Sequence, residues 1–183
     1  MTPVTVSQPF VVAIETSISG GARPMVTGTT NLPDGAELMI WLIKPWLPNG
    51  KERLAAGLPA CGDEDCFPLQ TNKRLPDGVG FGVVVKNGHF SDGPFTYKEA
   101  ALRPGTYVLE VTVYYATLQP TGVRAIIGEH GENMSGPLVG ACCFGSHLNQ
   151  AEIQKQLDKE REAAPIIGAS AYYARYVTID GTN

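Results

Sequence analysis

Hydrophobic positions along this chain recur mostly at every second residue, the signature of strands with one face in a core and the other in water. The clearest run spans residues 106–116, where Tyr107, Leu109, Val111, Val113 and Tyr115 share one face. A shorter strand reads over 25–30 and ends in Asn31-Leu32-Pro33-Asp34-Gly35, a turn in which Pro presets φ and Asp and Gly suit the later positions. Residues 37–46 place Leu38, Ile40 and Leu42 on one face and Met39, Trp41 and Ile43 on the other. Both faces are apolar, so this strand is expected in a central position, covered on both sides.

Residues 4–14 read as an edge-like strand broken by Pro9. Strand character returns at 79–86, and Asn87-Gly88 then predicts a type I′ hairpin into a strand beginning at His89-Phe90. Further strands are expected at 123–128, 138–144 and 170–180, the last with Tyr172, Ala174 and Tyr176 opposite Tyr173, Val177 and Ile179. Between the last two, residues 147–164 contain no Gly or Pro and set Leu148, Ile153 and Leu157 near one helical face. This predicts an amphipathic helix, ended by Pro165.

About seven or eight strands separated by regular turns predict an all-β domain covering residues 1–183, an immunoglobulin-like antiparallel β-sandwich. It carries a long Cys-bearing loop insertion at 45–78 and one C-terminal α-helix. The composition, with 21 Gly, 14 Pro and only 17% charged residues, favours strands and turns over long helices. A formal charge of -4 without a Lys/Arg cluster argues against a nucleic-acid face. No apolar run approaches the roughly 20 residues that span a bilayer, so an integral membrane protein is not expected. Met1-Thr2-Pro3-Val4 lacks the basic and apolar regions of a signal peptide, which in an exported protein would have been removed.

Four blocks carry a resemblance: residues 28–38 around Thr30-Asn31-Leu32-Pro33-Asp34-Gly35, then Val85-Lys86-Asn87-Gly88-His89-Phe90, Gly93-Pro94-Phe95, and Leu102-Arg103-Pro104-Gly105-Thr106-Tyr107. Together, over residues 26–138, they resemble bacterial extracytoplasmic immunoglobulin-like β-sandwich proteins of unassigned function, often lipoproteins or envelope proteins. The resemblance implies a fold and a compartment (periplasm, cell envelope or secreted) and no particular reaction. The Cys-bearing insertion and the late helix lie outside it.

Cys61, Cys66, Cys142 and Cys143 form the most suggestive chemical set. In an oxidising compartment an even number reads first as disulfides, with three connectivities open. A zinc site of these thiolates with His147 lacks the usual Cys-x-x-Cys knuckles, and Cys142 or Cys143 acting as a nucleophile with His147 lacks the spatial logic of such dyads. Asp63, Glu64 and Asp65 could offer a calcium site but read as a solvated loop, since the ligand alternation of calcium loops is missing. His130 between Glu129 and Glu132 reads as part of a polar turn, with no nucleophile or oxyanion donor nearby. Trp41, Trp46, Tyr114, Tyr115, Tyr172, Tyr173 and Tyr176 could build a sugar-stacking platform, although strand aromatics usually pack in cores.

The expectation from sequence is thus a noncatalytic interaction or structural domain with a protein partner, in a homo- or hetero-oligomer or a larger envelope assembly. It has no cofactor, metal or catalytic residue. The interaction candidates are Trp46, Asp63, Glu64, Asp65, His130, Tyr172 and Tyr173. The alternatives are a small-ligand or glycan-binding module and, third, a metal- or thiol-dependent protein centred on the cysteines.

Overall fold

The computed structural model describes residues 9–44, 69–76, 80–140 and 168–181. These residues are mostly β, and their sheets are antiparallel apart from one short parallel pair. In chain order the strands are β1 (Phe10–Val11), β2 (Ile14–Ser19), β3 (Met25–Thr30), β4 (Glu37–Ile43), β5 (Val83–Val84), β6 (His89–Asp92) and β7 (Gly105–Val113). A 3₁₀ turn at Ala116–Leu118 and helix α1 (Thr121–Ile127) follow, and then β8 (Met134–Ser135), β9 (Val139–Gly140) and β10 (Ser170–Ile179). One sheet runs β5-β4-β7-β10-β9, a second runs β2-β3-β6, and β1 pairs with β8.

The face of β7 marked in sequence is buried, and Val108 and Glu110 on its other face are buried too. Tyr107, Leu109, Val111 and Val113 are fully buried beside Leu38, Ile40 and Leu42 of β4. Val26 and Phe90 of the three-stranded sheet belong to the same cluster, so both sheets contribute to one core. β4 lies between β5 and β7 in its sheet, with Leu38, Ile40 and Leu42 buried and Met39 and Trp41 of the other face half-buried. On the β2 and β10 side the sheets are tied by Arg175, whose Nε donates to Thr16 Oγ1 (2.8 Å) and whose Nη2 donates to the Thr16 carbonyl (3.1 Å).

Residues 123–128 are helical instead of the expected strand. Pro120 caps α1 and Gly128 ends it at φ 94°, while Val123 and Ile127, one helical turn apart, point into the core. Their β-branched side chains suggested a strand, but the i, i+4 spacing and the flanking Pro and Gly win over propensity. The strand read over 4–14 is divided in its described part: β1 pairs with β8, and Ile14 opens β2. The helix expected at 147–164, most of the insertion at 45–78 and the end of the strand at 138–144 lie outside the described residues.

Past the end of β7, the side chain of Gln119 takes over the ladder beside β4. Its Oε1 accepts the Glu37 N–H (2.8 Å), while its Nε2 donates to the Glu37 carbonyl (2.9 Å) and the Tyr114 carbonyl (3.1 Å). Gln119 is 3% exposed, so water does not readily replace these bonds. Gln119→Leu should therefore lower unfolding free energy by about 2–4 kcal/mol in urea denaturation. A loss below about 0.5 kcal/mol would show that the carboxamide is dispensable.

Candidate functional site

A cleft opens where the hairpin strands β5 and β6 part. Asn87 (φ 51°) and Gly88 (φ 71°) form the left-handed pair of a type I′ turn. Lys86 and His89 close it with reciprocal backbone bonds, Lys86 N–H to the His89 carbonyl (2.9 Å) and His89 N–H to the Lys86 carbonyl (3.0 Å). Two residues further, the same ladder would pair Val84 with Ser91, but β5 has joined β4 and β6 has joined β3, and no backbone bond links them. Successive residues of a strand direct their N–H and C=O to opposite edges. Val85 bonds toward β4 and Gly88 toward β3, so Val84 and Ser91 turn their backbone groups into the gap.

The gap has a volume of ≈ 870 Å³. Leu75, Val83 and Val84 supply apolar surface, and Lys73, Arg74, Lys86 and His89 form a basic rim. Lys73 and Arg74 stand on a strap, residues 69–76, fixed at several points. Leu69 exchanges backbone bonds with Leu42 (2.8 and 2.9 Å), and the Gly82 N–H donates to the Lys73 carbonyl (2.8 Å). Asp92, 1% exposed, accepts from Thr71 Oγ1 (2.6 Å) and the Gly93 N–H (2.8 Å) and pairs with Lys73 Nζ (3.1 Å). The Arg74 guanidinium lies over the Phe81 ring at 5.1 Å. No described carboxylate pairs with Arg74, Lys86 or His89.

A second feature lies across the sheet. Glu110 of β7 points away from the core residues of its strand and is still only 4% exposed. The Tyr172 hydroxyl of β10 donates to Glu110 Oε1 at 2.6 Å. Desolvation pushes the Glu110 carboxyl up to about 7, against the opposing pull of the Tyr172 hydrogen bond. Burial, and then the neighbouring charge of Glu110, hold the Tyr172 phenol protonated well above its ordinary range.

Of the described residues singled out from sequence as interaction candidates, Tyr172 alone belongs to either place. Tyr172 is an internal partner of Glu110 instead of an exposed contact, and Tyr173, half-buried against the core, puts its hydroxyl 3.4 Å from Thr16 Oγ1. His130 sits in the turn after α1, where its N–H donates to Glu132 Oε2 (2.8 Å). Backbone donors, chiefly the N–H groups of Glu132 and His130, hold the Glu132 carboxyl below the usual range, and Glu129 pairs with Arg124 (2.6 Å). This is a turn secured by its own acids. Trp46, Asp63, Glu64, Asp65 and all four cysteines lie outside the described residues. Among the described residues no group of three or more His, Cys, Asp or Glu side chains could hold a metal ion, and no helix is long and apolar enough to cross a membrane.

The basic rim escaped the sequence reading because its cations are scattered over Lys73, Arg74 and Lys86 and are assembled by the fold. The only local signal was the Asn-Gly turn that creates the divergence. Compared with protein-family models, curated proteins and solved structures, the chain matches none.

The buried carboxyl makes stability depend on pH. Folded Glu110 keeps its proton up to about 7, whereas its ordinary value is 4.5, so its contribution is full below pH 4.5 and is lost as pH rises toward 7. Between pH 4.5 and 8 the wild type should lose up to about 3 kcal/mol relative to Glu110→Gln, measured by denaturant unfolding across that range. A pH-independent difference between the two proteins would refute the shift.

Proposed function

We propose that this protein is a noncatalytic protein-interaction domain of immunoglobulin-like sandwich form, acting in the periplasm, the cell envelope or outside the cell as part of a larger assembly. The cleft between β5 and β6 carries the interaction reading: an open sheet edge with free backbone groups and a cationic rim is built for a macromolecular contact.

Two features support the finer fold. The strand orders β2-β3-β6 and β5-β4-β7-β10, the latter extended at its edge by the two-residue β9, resemble with their sequence order the two-sheet arrangement of immunoglobulin-like domains. At the entry to β7 the Tyr107 hydroxyl donates to the Arg103 carbonyl (2.9 Å), the geometry of a tyrosine corner. The compartment is supported by the resemblance of the turn-and-strand blocks, and it fits four cysteines held as disulfides. A second reading, a glycan-binding module, draws on Tyr176, which stands 63% exposed on β10.

Crosslinking capture from a bacterial envelope extract tests the interaction. The wild-type chain should retain a discrete protein that Arg74→Glu/Lys86→Glu recovers at about a tenth of the level or less. Equal recovery by both, or selective binding on a glycan array, would overturn the reading. The compartment has its own check: the unfolded, unreduced protein should show no reactive thiols and the reduced protein all four, whereas four thiols without reductant would count against export.

A further inference from the structure

We infer that the cleft between β5 and β6 takes a short extended segment of a partner protein, acidic in its side chains, which pairs by its backbone with Val84 and Ser91. This rests on the interaction reading above and names the chemistry of the occupant.

Val84 and Ser91 each present an N–H and a C=O to the gap, with no partner among the described residues. A small anion would answer the donors and leave the carbonyls unanswered, whereas an extended peptide carries donors and acceptors in alternation and meets both. The strap next to the cleft already shows the pairing in miniature, with Arg74 bridged to Phe81 and the Gly82 N–H bonded to the Lys73 carbonyl. An incoming strand would continue that edge along β5.

Charge selects which peptide. The chain carries a formal charge of -4, yet this opening gathers Lys73, Arg74, Lys86 and His89. Among the described residues the carboxylate beside it, Asp92, is buried and committed to Thr71, Lys73 and Gly93. Arg74 and Lys86 therefore line the opening with no carboxylate partner among the described residues, and acidic side chains of an extended segment would meet them there. Side chains on the alternate face would lie on Val83.

The probe is a blocked octapeptide of alternating glutamate and valine, titrated into the isotope-labelled full-length chain and followed by amide NMR. The Val84, Lys86 and Ser91 amides should shift, and exchange of the Val84 and Ser91 amides should slow by about tenfold or more. Arg74→Glu/Lys86→Glu, or the milder Lys86→Gln should the double variant unfold, should weaken binding, the former by about tenfold. The same peptide N-methylated at alternate residues keeps its charge and loses its donors, and should bind about tenfold more weakly.

The inference is overturned if the N-methylated peptide or a lysine-for-glutamate peptide binds as tightly as the parent. It is overturned equally if no amide around the cleft responds, or if the Ser91 amide becomes protected simply on raising protein concentration, which would make a second copy of the chain the occupant. Failure here together with cleft-dependent capture of a partner would leave the interaction function standing. Peptide binding without any captured partner would strike the function and not the site.

Discussion

The two-residue turn at Asn87 and Gly88 imposes the constraint on which the rest depends. It holds Lys86 and His89 in reciprocal hydrogen bonds, while the strands on either side are drawn to different sheets, β5 onto β4 and β6 onto β3. A hairpin whose arms must diverge leaves its second rung unmade. Two glycines fix the divergence: a side chain at Gly82 would collide with the Leu38 carbonyl, and one at Gly28 with the Phe90 ring and the Glu15 carbonyl. Close backbone approach keeps each arm on its own sheet, and the gap between the arms becomes the cleft.

The two flanks of the shared core are finished in different ways. At β2 and β10 the Arg175 guanidinium bonds to Thr16, with the Tyr173 hydroxyl beside it, so polar side chains close that flank. At β5 and β6 the cations stand at the rim without bridging the strands, and the backbone edge stays open. Exposed edges invite pairing with other chains, and natural proteins usually blunt them with charge. Lysine and arginine at this edge would repel a basic strand and admit an acidic one, so the same charges discourage indiscriminate pairing and select a partner.

Much of the sheet framework was legible in the sequence because it rests on local chemistry. Tyr107, Leu109, Val111 and Val113 declared β7 by period alone, and Asn87-Gly88 declared the hairpin by its need for positive φ. α1 was hidden because Val123, Ile126 and Ile127 have strand propensity, and the Pro and Gly that delimit a helix of about two turns also read as loop residues. The ladder role of Gln119 has no signature, since it depends on where Glu37 is brought by a different part of the chain. Glu110 looked like the wet side of a strand, and only its register beside Trp41 and Ala174 shows that this face is covered too. The candidate site was the least legible part, because Arg74 and Lys86 come together only through the course of the strap.

That course is itself governed in part by a buried charge. Burying a carboxylate such as Asp92 is unfavourable unless its oxygens are answered, and here the answer comes from Thr71 and Lys73 of the strap together with the Gly93 N–H. Thr71 and Lys73 thus tie the strap to Asp92 at the end of β6, and the course of residues 69–76 is fixed jointly by these contacts and by backbone bonds to Leu42, Gly80 and Gly82. It brings Arg74 to the Phe81 ring and the Lys73 carbonyl to the Gly82 N–H. Asp92 consumes the charge of Lys73 and leaves that of Arg74, so the cation wall of the cleft is positioned in part by an anion that no ligand touches. A buried anion and the strap's backbone pairing thus act together on the exterior: they hold the strap beside Gly82, and the opening is lined by both the strap and Ser91.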